Sequence, residues 1–523
     1  MAPRRPGVRC LYPEEFNAMQ MMVSAGVIAL IVLWGLLAPA SLGTVFDAAL
    51  AEVTRSFGWL YLWIVLGLVV LALVLAFSRY GDLKLGQPDE EPEFSNTAWF
   101  AMLFAAGMGI GLVYFGVAEP LSHYGSPPPG IAPHTPEAAN AAMRYSFFHW
   151  GLHPWAIYGI VALSIAYFQF RRGSKALVSS ATETLPWAWA RKLSPLFNVM
   201  AVVATAFGVA ASLGTGAAQI NSGLHTVFGM PQGTAWQVGI IMVVTVLFIG
   251  SAITGVERGV KWLSQTNLVA AGLLALVVFT FGPTVAILDT FSTALGNYLT
   301  EFARMSLRLT PFRESGWVGG WTIFYWAWWL AWSPFVGMFI ARVSRGRTIR
   351  EFLLGVVIAP TLVGFAWFAV FGGSALSMEI FQSAHLADVA SKDASLALFA
   401  LLQQLPLATI TSVLATVLVL VFFVTSGDSA TLVLATMSHD GNPMPPNRSK
   451  VIWGVLVAGI AIALMLAGGL KSVQTATIVF ALPFSAVVVL MAIALVRAIR
   501  DDWEAEQRHE RELLRKVERL REN

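Results

Sequence analysis

WTIFYWAWWLAWSPFVGMF, residues 321–339, carries four tryptophans after the first, a tyrosine and a proline in one apolar run. At 1.5 Å per residue the run is long enough to cross a bilayer. On a helix Tyr325, Trp329 and Trp332 stand at i, i+4 and i+7 and share one face, with Trp328 one step round. Pro334 removes a backbone donor just after this row and predicts a loosened helix there. Aromatic residues gather at membrane interfaces, whereas this set occupies the middle of a span. A row of π faces beside a broken helix suits a quaternary ammonium. It equally suits a tightly packed aromatic helix.

The rest of the chain agrees with a membrane setting. Of 523 residues, 57% are hydrophobic and 12% are charged, where a soluble domain carries about a quarter. The fold class is therefore an all-α polytopic membrane protein. The net charge of +3 does not imply nucleic acid, because the basic residues cluster in loops between spans. Cys10 is the single cysteine, so an intrachain disulfide and a cysteine metal cluster are excluded. The first apolar run is full length and lacks a small-residue cleavage site, which predicts a retained helix and not a signal peptide.

Apolar spans fall at 20–40, 58–78, 98–118, 147–170, 197–222, 236–254, 267–287, 321–342, 352–372, 407–437, 451–470 and 476–499, twelve in all. With the N-terminus inside, the inner loops hold 18 Lys and Arg before the tail and the outer loops seven. Both termini are therefore expected in the cytoplasm. Two further segments are helical in pattern. Residues 288–310 place Phe291, Leu295, Leu299 and Phe302 at helical spacing and predict an amphipathic helix on the outer surface. The tail from Arg497 to Asn523 has eight basic and eight acidic residues with Leu513, Leu514, Val517 and Leu520 at heptad-like spacing. It reads as a solvated helix or as a regulatory or inter-subunit contact. The expected organisation is a cytoplasmic segment 1–19, two extra helices and a linker over 20–97, a first five-helix repeat over 98–287, the surface helix 288–310, a second repeat over 311–499 and a cytoplasmic helix 500–523.

The third span contains AAGMGIG, residues 105–111, with glycine at every second position. Such spacing visits two helix faces and lowers helix propensity. It favours an unwound stretch whose carbonyls or amides can bind an ion; close helix packing is the alternative. The fourth span begins HWGLHPWAIYGI, residues 149–160. At 100° per residue, Trp150, Trp155 and Tyr158 fit within one broad sector. His149 and His153 are four apart, yet no third metal ligand of the right type is in view. The fifth span offers Thr205, Ser212, Thr215 and Asn221. The tenth contains FFVTSGDSAT, residues 422–431, with adjacent hydroxyls on Thr425 and Ser426 and an acid, Asp428. Asp428 is a functional candidate or a cap at the membrane face. The third and eighth spans, both read as interrupted, are five apart, as are the hydroxyl-bearing fifth and tenth. An odd repeat is inverted in the membrane, and paired broken helices point to a midplane site in a secondary transporter.

WTIFYWAWWLAWSPFVGMFIARVSRGRTIREF, with FAAGMGIGL, HWGLHPWAIYG and FFVTSGDSA, resembles the betaine/choline/carnitine transporter family across residues 20–499. The resemblance implies a LeuT-type fold of inverted five-helix repeats, spans three to seven and eight to twelve, and a homotrimer. It implies a trimethylammonium cage at Trp150, Trp155, Tyr158 and Trp329, with Trp328, Trp332 and Met108 as further lining. It implies a sodium site from the carbonyls of Ala105, Met108 and Phe422 and the hydroxyls of Thr425 and Ser426. A second sodium site would involve Tyr158, Phe335, Thr205 and Ser212, although Val209 stands where the pattern has a threonine. Gly111 stands where choline transporters resemble an aspartate, which suits a zwitterionic substrate. The resemblance therefore implies a sodium-coupled symporter in a prokaryotic inner membrane, bringing in glycine betaine or a close relative. Na+ is the coupling ion. No organic cofactor, catalytic centre or nucleic-acid partner is expected, and lipid is the surrounding partner.

Overall fold

The computed structural model describes residues 14–107, 109–254, 257–312 and 316–522, with the backbone alone at 14–18, 104–107, 257–261 and 522. Cys10, Arg4, Arg5, Arg9, Met108 and Arg313 lie outside the described residues. The main helices are α1 (Glu14–Leu37), α2 (Pro39–Phe77), α3 (Asn96–Gly107), α4 (Ile110–Gly125), α5 (Pro136–Trp150), α6 (Leu152–Ala166) and α7 (Ala188–Phe228). They continue with α8 (Thr234–Thr254), α9 (Glu257–Phe281), α10 (Thr284–Ser306), α11 (Phe324–Val343), α12 (Ile349–Phe368), α13 (Ala408–Ser438) and α14 (Asn447–Glu522). Among the described residues the one β-type pairing is an isolated bridge between Lys84 and Thr348.

Among the described residues ten helices are long and apolar enough to cross a membrane, so the chain is a multi-pass membrane protein. The difference from twelve lies in two places. The third expected span is two pieces, α3 and α4, too short to count singly, and Gly109 between them is extended at φ −139° and ψ −172°. The last two expected spans lie in α14, whose helical path is interrupted at Gly468 and Gly469. Gly469 has φ 67° and ψ −152°, a conformation that essentially only glycine adopts.

The eighth span corrects an expectation. It is not loosened at Pro334: α11 runs through that residue to Val343. Proline frees the carbonyl four residues earlier, here that of Leu330, and the Ser333 hydroxyl donates to it at 2.7 Å. The local irregularity lies earlier, in a π-helical turn at Gly319–Ile323. The fourth span is not one helix either. It breaks at Gly151 (φ −92°, ψ −133°), so Pro154 falls in the first turn of α6, where a missing N–H costs nothing. The 100°-per-residue count from Trp150 to Tyr158 therefore runs across a break.

The protein interior is built by three segments. The apolar windows of Pro136–Arg171, Ala188–Phe228 and Gly319–Val343 are 94%, 83% and 78% buried, against 17%, 28% and 22% for those of Met19–Leu37, Thr234–Thr254 and Trp262–Phe281. The first set holds the aromatic motifs and the fifth-span hydroxyls, and the second presents leucine and valine outward. Helix α11 packs on α6, α7 and α14. Helix α10 lies across α5, with Tyr298 accepting from the Leu152 N–H at 3.3 Å and Phe302 stacked on His153 at 4.8 Å. Beyond the membrane-length part of α14, Asp502 accepts from Tyr167 at 2.7 Å and from Arg172 at 2.8 Å. Arg171 pairs with Glu506, and Arg79 lies 4.1 Å over the Trp503 ring. The tail thus starts clamped, while Leu513, Leu514, Val517 and Leu520 are exposed.

Candidate functional site

Four rings form a chain of perpendicular contacts at the centre. Trp150 meets Trp329 at 4.9 Å and 78°, Trp329 meets Tyr158 at 6.0 Å and 82°, and Tyr158 meets Trp155 at 5.6 Å and 80°. Edge-to-face packing sets the positive edge of one ring on the negative face of the next. Trp328 lies parallel to Trp329 at 4.9 Å and 16°, and at right angles to Trp150. All five rings are buried, at 3–8% exposure. Helices α5, α6 and α11 position them, and the break at Gly151 lets Trp150 and Trp155 serve one site from different helices. A Cβ on Gly111 would lie 2.7 Å from Trp328 Cη2 and 3.0 Å from Trp150 Cη2. The position is glycine because two ring tips close over it. Trp332 turns elsewhere, donating to the Gly208 carbonyl of α7 at 2.7 Å and meeting Phe335 at 5.0 Å.

Behind the rings is a buried polar hub that the motif reading did not include. Glu119 of α4 places Oε1 2.7 Å from His149 Nδ1 and 3.2 Å from His123 Nε2. Its Oε2 accepts from the Trp150 indole at 2.9 Å and from the Tyr325 hydroxyl. His149 Nε2 lies 3.0 Å from Thr322 Oγ1, and the His149 carbonyl accepts from Trp329 at 3.0 Å. Glu119, His123 and His149 have no solvent exposure. Their ligand-type atoms lie within 4.8 Å of one another, a third partner that the His149–His153 spacing did not reveal. The set does not suit a metal, because each carboxylate oxygen already accepts two donors and both His149 nitrogens are engaged. His153 stands apart, 2.9 Å from Ser306 Oγ and stacked on Trp326.

Glu119 lies one residue beyond the expected end of the third span, so the reading of the spans did not take it up. The signal was present: Glu119 and His123 stand at i and i+4 after an apolar run, a helical spacing at membrane depth, where acids are functional by default.

The other expected site residues are chiefly hydroxyls on α7 and α13. Phe422, Thr425 and Ser426 stand at i, i+3 and i+4 on α13, with Thr425 Oγ1 donating to the Val421 carbonyl at 2.9 Å. Ala105 falls in the last turn of α3 as backbone alone; Met108 lies outside the described residues. On α7, Thr205 Oγ1 is buried with no hydrogen-bond partner, and Ser212 is buried. Phe335 is half-buried beside Trp332. Asp428 is half-buried and accepts from Ser251 of α8 at 3.3 Å.

Long apolar helices, a span broken at Gly109 and a central aromatic box fit a membrane transporter. The model of the family described as BCCT, betaine/carnitine/choline family transporter, matches residues 20–504, and the chain belongs to that family. Among its relatives, the glycine betaine transporter OpuD of Bacillus subtilis is 48% identical over 499 residues, covering 94% of this chain and 95% of that protein. The ectoine/hydroxyectoine transporter of Virgibacillus pantothenticus is 43% identical over 488 residues, covering 93% and 97%. A glycine betaine transporter of Acinetobacter baylyi is 43% identical over 454 residues, covering 86% and 68%.

Proposed function

We propose that the protein is a sodium-coupled symporter that imports glycine betaine by alternating access. The observation that carries this is the perpendicular set Trp150, Trp155, Tyr158 and Trp329, with neighbouring rings 4.9–6.0 Å apart. Each ring facing a desolvated trimethylammonium contributes about 0.5–2 kcal/mol. Trp328 supports a zwitterion: its indole N–H is buried without an acceptor, an unmade bond that a substrate carboxylate beside the box would complete. Gly111 leaves no acid to replace that carboxylate.

Thr425, Ser426 and the Phe422 carbonyl supply oxygens of the type that binds sodium, and the interruption at Gly109 frees backbone carbonyls of the third span for the same ion. The orphan Thr205 hydroxyl, with Ser212, Tyr158 and Phe335, supports a second sodium site. The energy suffices for accumulation. One sodium ion crossing 100 mV is worth about 2.3 kcal/mol, and a tenfold sodium gradient adds about 1.4 kcal/mol. Their sum sustains a betaine ratio of several hundredfold.

Twelve spans in two inverted repeats, both termini in the cytoplasm and a prokaryotic inner membrane complete the proposal. Support comes from the split α3/α4, from the break at Gly468 and Gly469, from the charge asymmetry of the loops and from the bacterial relatives. The exposed Leu513, Leu514, Val517 and Leu520 support a homotrimer contact through the tail. A second substrate reading rests on the ectoine/hydroxyectoine relative, since a cyclic zwitterion also carries a diffuse cation for the box. Uptake of radiolabelled glycine betaine into proteoliposomes, with and without an inward sodium gradient, tests the function. Sodium-driven accumulation supports it. Sodium-independent exchange, or uptake driven by a proton gradient, overturns the coupling. Accumulation of ectoine and not of betaine overturns the substrate.

A further inference from the structure

We propose that Glu119 is a positioning residue for the cation box: it fixes the edges of Trp150 and, through His149, of Trp329, and as a buried anion it enriches the Trp150 face. The inference rests on the reading that these rings receive the cationic head of the substrate.

The donors around Glu119 define its state. An indole N–H can only donate, and the tyrosine hydroxyl and both imidazoles also direct hydrogens at the two oxygens. Four donors fill the lone-pair sites, two on each oxygen, so the group needs no proton of its own. His149 then donates through Nδ1 and accepts from the Thr322 hydroxyl through Nε2. His123 donates through Nε2, and its Nδ1 has no partner. The network, which assigns these tautomers, is complete with Glu119 anionic and both imidazoles neutral. It joins α4 to α5, to the π-helical turn at Gly319–Ile323 and to α11.

Two consequences reach the box. First, two of the three cage tryptophans have their N–H edges pinned, Trp150 on Glu119 and Trp329 on the carbonyl of the residue that Glu119 holds. The indoles cannot turn these edges toward a substrate, so their π faces remain for it. Second, a hydrogen bond to an anion is stronger than one to a neutral acceptor. It shifts electron density into the indole, and a cation over that face gains. The fixed charge behind Trp150 also orients a zwitterion with its ammonium on that side. A fastener with no electrostatic part would hold the helices together and leave the ring's affinity for cations alone.

The test measures glycine betaine affinity of the purified full-length protein by radioligand binding in sodium buffer, for the wild type, Glu119→Gln, Trp150→Phe, the double variant and Trp329→Ala. Glu119→Gln keeps the shape and removes the charge; the dissociation constant is expected to rise up to about 30-fold, the range of one cation–π contact. In Trp150→Phe the N–H is gone, so adding Glu119→Gln is expected to cost less than it does in the wild type, only the part that passes through His149 to Trp329. Wild-type affinity in Glu119→Gln, or losses that multiply in the double variant, overturns the proposal. Should Glu119→Gln not fold, the ultraviolet resonance Raman difference between wild type and Trp150→Phe decides. A band for a strongly hydrogen-bonded indole N–H is expected, and its absence overturns the proposal. Unchanged affinity in Trp329→Ala refutes the box itself, whereas lost affinity there with wild-type binding in Glu119→Gln refutes only the role of Glu119.

Discussion

Helix α11 meets two different surroundings along its length. At its N-terminal end Tyr325, with Thr322 just before it, enters a closed network in which four donors converge on Glu119. Two turns further along, Trp332 bonds to Gly208, on the same helix as Thr205, whose buried hydroxyl has no partner. At the N-terminal end the lone pairs of the Glu119 carboxylate are filled, and a densely bonded carboxylate holds its partners rigidly. On α7, which Trp332 touches, the Thr205 hydroxyl is unpartnered, which suits an ion that comes and goes. Between them Trp329 belongs to both, anchored by its N–H to the His149 carbonyl and offering its ring to Trp150 and Tyr158. The comparison teaches that, on the proposed function, the rings proposed for the substrate are held fixed while an oxygen proposed for the ion stays uncommitted.

Substitutions can break this comparison, and the largest effect is expected at the shared residue. Trp329→Ala removes a buried indole from the box, and saturable betaine uptake in proteoliposomes is expected to disappear. Next is Glu119→Ala, which leaves up to four buried donors without an acceptor at about 1–3 kcal/mol each. A drop in unfolding free energy of at least about 3 kcal/mol is expected, read as a large fall in the thermal midpoint of the purified protein. Ser426→Ala should behave oppositely: less than about 1 kcal/mol in stability, with the sodium concentration for half-maximal uptake raised about tenfold, one lost ligand at about 1.4 kcal/mol. Gly111→Ala forces a methyl into the Trp328 and Trp150 ring tips at 2.7 and 3.0 Å, an overpacking cost of about 1–3 kcal/mol. It is expected to show chiefly as weaker betaine binding by titration. The smallest change is expected for Thr205→Val, because removing an unpartnered hydroxyl is neutral or stabilising. Its thermal midpoint should not fall, while a lower Hill coefficient for sodium would sharpen the case for the second ion.

Much of this molecule was legible in its sequence because membrane spans and aromatic motifs are local signals. The glycine alternation at 105–111 marked the place where α3 gives way to α4, since propensity acts residue by residue. Trp150, Trp155, Tyr158 and Trp329 were brought together by a family motif and not by helical periodicity, because Gly151 interrupts the helix on which that periodicity was counted. Pro334 misled for an equally physical reason: a side-chain hydroxyl, Ser333, satisfied the carbonyl that proline freed. Glu119 escaped because its partners Trp150 and Tyr325 lie 31 and 206 residues away, and no pattern within one span reports hydrogen bonds across three helices. The clamp of Asp502 on Tyr167 and Arg172 escaped likewise; a charge-balanced tail reads as solvated until its partners are seen.

The most direct measurement is the affinity for glycine betaine at equilibrium, in sodium and in potassium buffer, for the wild type and Ser426→Ala. Coupling between an ion site and a substrate site is reciprocal in binding free energy. Wild-type protein is expected to bind betaine at least tenfold more tightly in sodium, and Ser426→Ala to bind it equally in both salts. Equal affinity of the wild type in sodium and potassium would contradict the account, because the oxygens of α13 would then have no thermodynamic link to the aromatic box.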